Sequence, residues 1–305
     1  MNQLPELPER DLPPARHRLL KEHLMTEIRR DELTPARTRT RWLRPALIVG
    51  AVAAVTAVAV TVAVPSGRAE PAASEEAVAL LEDIALAAEH ADVPEDIRDD
   101  QFVYIRSRVG WSEQEGDGPA KLEPLHQREV WLSVDGSQQS MLHDPVVRAD
   151  HELLEKQTPG IPSNSNYRHL QTLPTDPDEM FDWLQDNSSG HSSKAEATFA
   201  LVGDLASESL MPPAQGAALY RAAAKIPGVF VIDDTVDAAG RHGVAVARVD
   251  AGERVELVFD RRTKELLGSR EVAVEDLPWG YEKGEMTGRT AVLERAVVDE
   301  RGERP

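Results

Sequence analysis

A chain of 305 residues, 41 % of them hydrophobic, is long enough for one or two domains with a real apolar core and does not have the composition of a disordered polymer. It holds no cysteine, which excludes disulfides, thiol catalysis, cysteine-bearing zinc sites and a lipidated cysteine. The net charge of −19 is unevenly shared: residues 1–44 carry +3 and residues 45–64 carry none, so the remainder carries −22, which disfavours direct nucleic-acid binding there.

Residues 13–33, PPARHRLLKEHLMTEIRRDEL, read as a helix whose first turn suits Pro13 and Pro14. Leu20, Leu24 and Ile28 recur every four residues, Leu19 widens the stripe, and charged residues fill the other faces. One helix cannot bury such a stripe alone. It calls for a soluble partner or a second copy, or else it lies on the inner leaflet, drawn there by its arginines. Leu20, Leu24 and Ile28 are the expected partner-binding face. His17 and His23 lack the paired cysteines of a zinc-binding anti-sigma domain and read as exposed helix residues.

Residues 45–64, PALIVGAVAAVTAVAVTVAV, hold only two polar side chains, Thr56 and Thr61. At about 1.5 Å per residue such a helix spans roughly 30 Å, the hydrocarbon thickness of a bilayer. Pro45 suits its first turn, and Pro65, Ser66 and Gly67 stop it. Arg37, Arg39, Arg41 and Arg44 crowd the N-terminal edge beside Trp42, whereas Arg68 stands with Glu70, Glu75 and Glu76 at the other. Cationic flanks stay inside, so the expectation is a cytoplasmic N-terminus, one transmembrane helix and an extracytoplasmic domain. The run is too long, and its leading segment too long, for a cleaved signal peptide; a buried core helix is the alternative. Gly50, Ala54, Ala57 and Val58 form a small-residue stripe that would permit close helix contact, in a segment where alanine is simply common.

A linker, 65–73, leads to the outer domain, 74–305. Ser74 is the expected N-cap of a helix over 74–91, with Glu75 and Glu76 in its first turn and Val78, Leu81, Ala85 and Ala88 along one face. In QFVYIRSRVGW (101–111), Val103, Ile105 and Val109 alternate with Tyr104, Arg106 and Arg108, the period of a half-buried strand. REVWLSVDG (128–136) alternates likewise and ends at a turn, Asp135-Gly136, beyond which Met141 and Leu142 continue. Paired strands would set Arg106 or Arg108 opposite Glu129, a contact worth roughly 0.2–1 kcal/mol. Residues 144–177 are rich in proline, and SNSNY at 163–167 reads as an exposed loop. Asp176 then caps a helix with Pro177 in first position and Met180, Phe181 and Leu184 on its buried face, with Trp183 near the edge. Further helices follow over 195–211 and 213–226, the last ended by Pro227-Gly228.

FVIDDTVDA, GVAVARVD, ERVELVFD and KELLGSREVAV are strand-like runs joined by short turns, an antiparallel meander, and RTAVLERAVVDE adds an edge strand. The expected fold is α+β: one N-terminal transmembrane helix, then a curved antiparallel sheet with helices packed on one face and strands from both sides of the helices in one sheet. Such a sheet can enclose an apolar cleft. Phe102, Tyr104 and Trp131 would line it, unless they are plain core.

Three stretches carry a resemblance: QFVYIRSR followed by REVWLSVDGS, then LPTDPDEMFDWL, then GVAVARVD with ELVFDRRTKELLG. With the short N-terminus and the single Ala/Val-rich span, they resemble a family of actinobacterial single-pass membrane proteins of unknown function, often found beside extracytoplasmic-function sigma factors. The resemblance covers most of the chain and rests on fold motifs, so it implies no active site. It implies a membrane-anchored envelope protein with a sensory or regulatory, anti-sigma-like role, and a sigma factor or other cytoplasmic protein as partner at 13–33. ELVFDRRTKELLG also looks like the open half-barrel of bacterial lipoprotein-carrier and sigma-regulator sensor domains. The alternative function is an extracytoplasmic lipid- or ligand-binding module.

No Gly-rich phosphate loop, G-x-S-x-G elbow or H-E-x-x-H is present. His151-Glu152 with Glu155 lacks the second histidine and reads as a solvated charge cluster, and Asp99-Asp100 and Asp233-Asp234 lack the spacing of an EF-hand loop. No catalytic, cofactor-binding or metal residue is expected, and an extracytoplasmic hydrolase is the least favoured reading. The expected partners are the lipid bilayer, through 45–64, and a cytoplasmic protein.

Overall fold

The computed structural model describes residues 70–305 except 115–117, 147–148 and 154–162. The chain divides into Met1–Glu70 and Pro71–Pro305, and the fold described is that of the second unit. Among the described residues no helix is long and apolar enough to cross a membrane. The expected span at 45–64 and the 13–33 helix with Leu20, Leu24 and Ile28 lie outside the described residues.

Helix α1, Glu75–Glu89, starts where expected: Ser74 Oγ accepts from Ala77 N at 3.1 Å, with Glu75 and Glu76 in the first turn. Its covered stripe is Ala77, Leu81, Ile84 and Ala85, and Val78, expected inside, is 43 % exposed. Apolar residues run nearly all round this alanine-rich helix, so its packing partners decide which side is buried.

Strands β1 (Phe102–Gly110), β4 (His126–Ser133), β5 (Met141–Asp144) and β6 (Ala149–Leu153) come next, with β2 (Ser112–Glu113) and β3 (Lys121–Leu122) as a separate small pair. Helices α2 (Tyr167–Leu170), α3 (Pro177–Asn187), α4 (Lys194–Ser207) and α5 (Pro213–Ala223) follow. The meander β7 (Phe230–Val236), β8 (His242–Asp250), β9 (Glu253–Phe259) and β10 (Leu266–Ala273) then leads into β11 (Met286–Val298). Nine strands form one antiparallel sheet in the order β6-β5-β4-β1-β11-β10-β9-β8-β7. The last strand is not at an edge as expected. It is the seam of the sheet, pairing β1 on one side and β10 on the other. Most of its residues are buried or half-buried, so pairing on both sides satisfies its backbone where water is scarce.

Helices α1 and α4 cover one face over β7, β8 and β10, and α5, packed on α1, reaches Phe259 of β9 through Tyr220. Leu81, Ile84, Leu205 and Leu219 from the helices meet Val244, Val246, Leu257 and Phe259 from the strands. Each such residue, fully buried, contributes roughly 1.5–3 kcal/mol. The same face continues through Val103, Ile105, Val130, Leu132 and Tyr167. Asp176 Oδ1 accepts from Asp178 N and Glu179 N at 2.9 and 3.1 Å, the expected cap of α3, where Met180 and Leu184 are buried and Phe181 is only half-buried. The SNSNY loop differs from expectation: Asn164, Ser165, Asn166 and Tyr167 are buried. Their polarity is absorbed locally, since Asn164 Oδ1 accepts from Asn166 N at 2.9 Å and Asn166 Nδ2 donates to Ser133 O.

Candidate functional site

Alternation sends every second side chain of β1 and β4 to the face away from the helices. There Phe102 and Tyr104 of β1, Trp131 of β4, Met141 of β5 and Val298 of β11 form a separate apolar cluster. Tyr104 and Trp131 stand directly opposite in register, with rings 5.1 Å apart and tilted by 43°. All three residues expected to line a cleft are therefore together, yet none is more than 3 % exposed. As the fold stands they are core, and β1, expected half-buried, is covered on both faces.

The cover is the chain itself. Residues 299–305 fold back beyond β11. Asp299 accepts from Arg98 Nη2 and Gln101 Nε2 at 2.8 Å each, Arg301 Nη1 donates to Gln139 O at 3.0 Å, and Trp131 Nε1 donates to Glu303 O at 2.5 Å. Gly302 takes a φ of +91°, open to glycine at little cost. Arg304 then reaches Glu129 on β4. Its Nε and Nη2 donate to the two carboxylate oxygens at 2.7 Å each, while Tyr104 OH donates to Oε1 at 2.6 Å.

Glu129 is 1 % exposed. Burial pushes its pKa up, but the Arg304 and Tyr104 hydrogen bonds outweigh burial and hold it below the ordinary carboxylate range. The Tyr104 hydroxyl is pushed up to about 12, by burial and by its bond to Glu129. At neutral pH the pair is thus a fixed donor and a fixed anion. Register sets Arg106 opposite Glu129 as one of the expected pairings, but Arg106 pairs with Glu294 of β11 at 2.9 Å instead. Farther along the same face the buried Glu256 accepts from Thr235 Oγ1 at 2.7 Å and Arg254 Nε at 2.8 Å, with Arg270 at 3.7 Å.

A second polar cluster surrounds the N-terminus of α4. Ser193 Oγ caps the helix by accepting from Glu196 N at 3.0 Å. Ser192 Oγ lies 2.6 Å from Glu196 Oε2 and 2.5 Å from Asp250 Oδ1, and Ser193 Oγ lies 2.8 Å from Asp250 Oδ2. The buried Arg248 pairs with Asp250, and His191 Nδ1 is 3.5 Å from Glu196 Oε1. Among the described residues neither serine hydrogen-bonds a histidine; both hydroxyls donate to carboxylates instead. The adjoining cleft, lined by Glu196, Phe199, Arg248 and Asp250, has about 20 Å³, room for about one water.

This cluster makes a pH prediction. Burial raises the Glu196 pKa, but His191 and Ser192 overcome it and bring Glu196 to about 2, while the bond to Glu196 raises His191 above its ordinary 6.5. The depressed carboxyl contributes stability that is present above about 4.5 and lost as pH falls toward 2. The raised histidine contributes stability that is complete below 6.5 and lost as pH rises through its folded value. The melting-temperature gap between the unaltered chain and Glu196→Gln is therefore expected to be widest between about pH 4.5 and 6.5 and to narrow on both sides. A gap independent of pH would contradict the pairing.

Among the described residues no group of three or more His, Asp or Glu side chains is placed to hold a metal ion. Asp99 pairs with Arg168, Asp100 with Arg98, and Asp234 with His242 and Arg261. His151 and Glu152 fall in β6, and Glu155 lies outside the described residues. Sequence reasoning extends the last strand through Asp299 and Glu300, whereas β11 ends at Val298, and it gives no reading to residues 301–305 and so misses the partner of Glu129. The available signal was Gly302 and Arg304 just beyond a strand, in a stretch with no apolar period.

No protein-family model and no curated protein matches the chain. Among solved structures the chain is similar to the crystal structure of MucB at 17 % identity, over 76 % of this chain and 61 % of that one, with a TM-score of 0.24. The chain spans about 61 % of that structure's length, and so low a TM-score does not establish a shared fold.

Proposed function

We propose that this is a membrane-anchored envelope protein with a sensory or regulatory role, anti-sigma-like in kind. Its outer α+β domain binds a ligand, and its cytoplasmic helix at 13–33 engages a sigma factor or similar protein. The uncharged run at 45–64 with its arginine flank supports the anchor, and the Leu20, Leu24 and Ile28 stripe supports the partner. The family resemblance supports the pairing of the two. The observation that carries the outer half is the sheet face around Glu129, a seat for a cation closed by one short segment. The reading is non-catalytic. The alternative, a lipid cleft lined by Phe102, Tyr104 and Trp131, needs residues 299–305 to leave, because the three side chains are buried with that segment bonded to Trp131 and Glu129.

The test is affinity capture from native lysate with residues 1–44 as bait and the Leu24→Asp form as control, read by mass spectrometry. A sigma factor or other transcription protein held by the unaltered bait and lost, by tenfold or more, from the altered one is the expected result. Equal capture by both baits, or none by either, would remove the regulatory reading.

A further inference from the structure

We propose that the sheet face around Glu129 is a docking seat for a protein segment that turns at Gly-x-Arg, and that Gly302-Glu303-Arg304, in the turn closed by Glu303 N donating to Glu300 O, occupies it as an internal surrogate. This deepens the ligand-binding half of the function proposed above and rests on it.

The seat reads three features of its occupant, and each is visible in the surrogate. Glu129 is a buried strand carboxylate beside Tyr104 and Trp131. Tyr104 gives it one hydrogen bond, and its ion pair comes from Arg304. Two donors at 2.7 Å on two oxygens is the fork geometry of a guanidinium, which a lysine cannot reproduce. Trp131 Nε1 takes a main-chain carbonyl, that of Glu303, so the seat reads the middle position through its backbone, while the Glu303 side chain closes the surrogate's own turn by accepting from Asp299 N and Glu300 N. At the first position a Cβ on Gly302 would come within 3.3 Å of Met141 Cε, and the φ of +91° favours glycine again.

Residues 299–305 are all exposed, and the Arg98–Asp299 pair that anchors their start is open to water, where such pairs contribute little, so the segment is held chiefly by the Arg304 fork on Glu129 and by the Trp131 bond to Glu303 O. Its departure would bare an aromatic pair and leave a buried carboxylate without its cation, so whatever replaces it must bring one. A partner segment with Gly-x-Arg meets that demand. It must outcompete an intramolecular rival, whose effective concentration is of millimolar order for so short a tether. The seat is thereby reserved for partners that bring further contacts.

The test uses the full chain in detergent micelles in three forms: unaltered, ending at Asp299, and Arg304→Ala. Fluorescent synthetic peptides carry the 299–305 sequence, the same with Arg304→Ala, or Gly-x-Arg in unrelated flanks. Both altered chains are expected to bind the two Gly-x-Arg peptides saturably and at least tenfold more tightly than the unaltered chain does. The alanine peptide is expected to fail, and adding Glu129→Gln should cost another tenfold or more. If the shortened chain does not fold by circular dichroism, the Arg304→Ala chain decides alone. No saturable binding to a folded altered chain overturns the proposal, as does equal binding of the alanine peptide. A dimer that the unaltered chain forms and the chain ending at Asp299 does not, by native mass spectrometry, would overturn the partner assignment in favour of segment exchange between copies. Failure here with successful capture by residues 1–44 removes the seat and leaves the regulatory reading; the reverse pattern does the opposite.

Discussion

Gly268→Ala is expected to cost upwards of about 3 kcal/mol. Gly268 sits where β10 slips register against β9, and a Cβ there would lie 2.2 Å from Thr290 O, 2.7 Å from Thr290 C and 2.9 Å from Ala291 Cα. All three atoms are backbone of β11, the seam that joins the two halves of the sheet. Side chains can rotate away from a clash, but this strand moves only by breaking its ladder. Gly240→Ala is the control. Gly240 has a φ of +84° with nothing near its Cβ, so only left-handed strain applies, about 1–2 kcal/mol. Urea unfolding of the three chains measures the difference. Equal costs would mean that β11 is not the close-packed centre.

Trp131→Ala is expected to cost about 3–5 kcal/mol, because it empties a cavity between Tyr104, Phe102 and Met141 and removes the donor to Glu303 O. Trp183, half-buried on α3, is the comparison and should cost clearly less when truncated. A cost below about 1 kcal/mol at Trp131 would mean that this face is open rather than closed.

What could be read from the sequence was what is decided locally. Ser74 and Asp176 cap their helices as read, because a cap depends on a side chain and the amides two or three residues on. Alternation in 101–111 and 128–136 correctly placed Phe102, Tyr104 and Trp131 on one face. The errors belong to choices made at long range. Val78 is expected inside because an Ala/Val-rich helix offers several equivalent stripes, and only the neighbouring helix selects one. The RTAVLERAVVDE run is expected at an edge because it comes last after the meander, and its pairing with β1, about 190 residues away, leaves no local mark. SNSNY reads as exposed from its polarity alone, and its burial rests on Asn166 donating to Ser133 O, a tertiary bond that leaves no local mark. Residues 301–305 escape because a segment held by a carbonyl, a glycine and one ion pair has no hydrophobic period to find.

The two faces of the sheet do different work. The helix-covered face holds the fold together through Leu81, Leu205, Leu219 and Phe259. The other face carries a buried anion, aromatic rings and a ladder of arginine–glutamate pairs, and it is covered at one end by a short polar segment. Apolar surface closed so thinly is suited to being uncovered.

Native-state hydrogen exchange of the full chain, resolved by residue, tests this most directly. The Asp299 and Glu300 amides, bonded to Glu303 Oε2 at 2.9 and 3.0 Å, report the closed segment, and the amides of β1 and β4 report the sheet beneath. The account predicts that the segment opens by itself, exchanging at least a hundredfold faster than β1 and β4, which keep their protection. Exchange of both only together, in one cooperative unfolding of the sheet, would make residues 299–305 a fixed part of the core and contradict it.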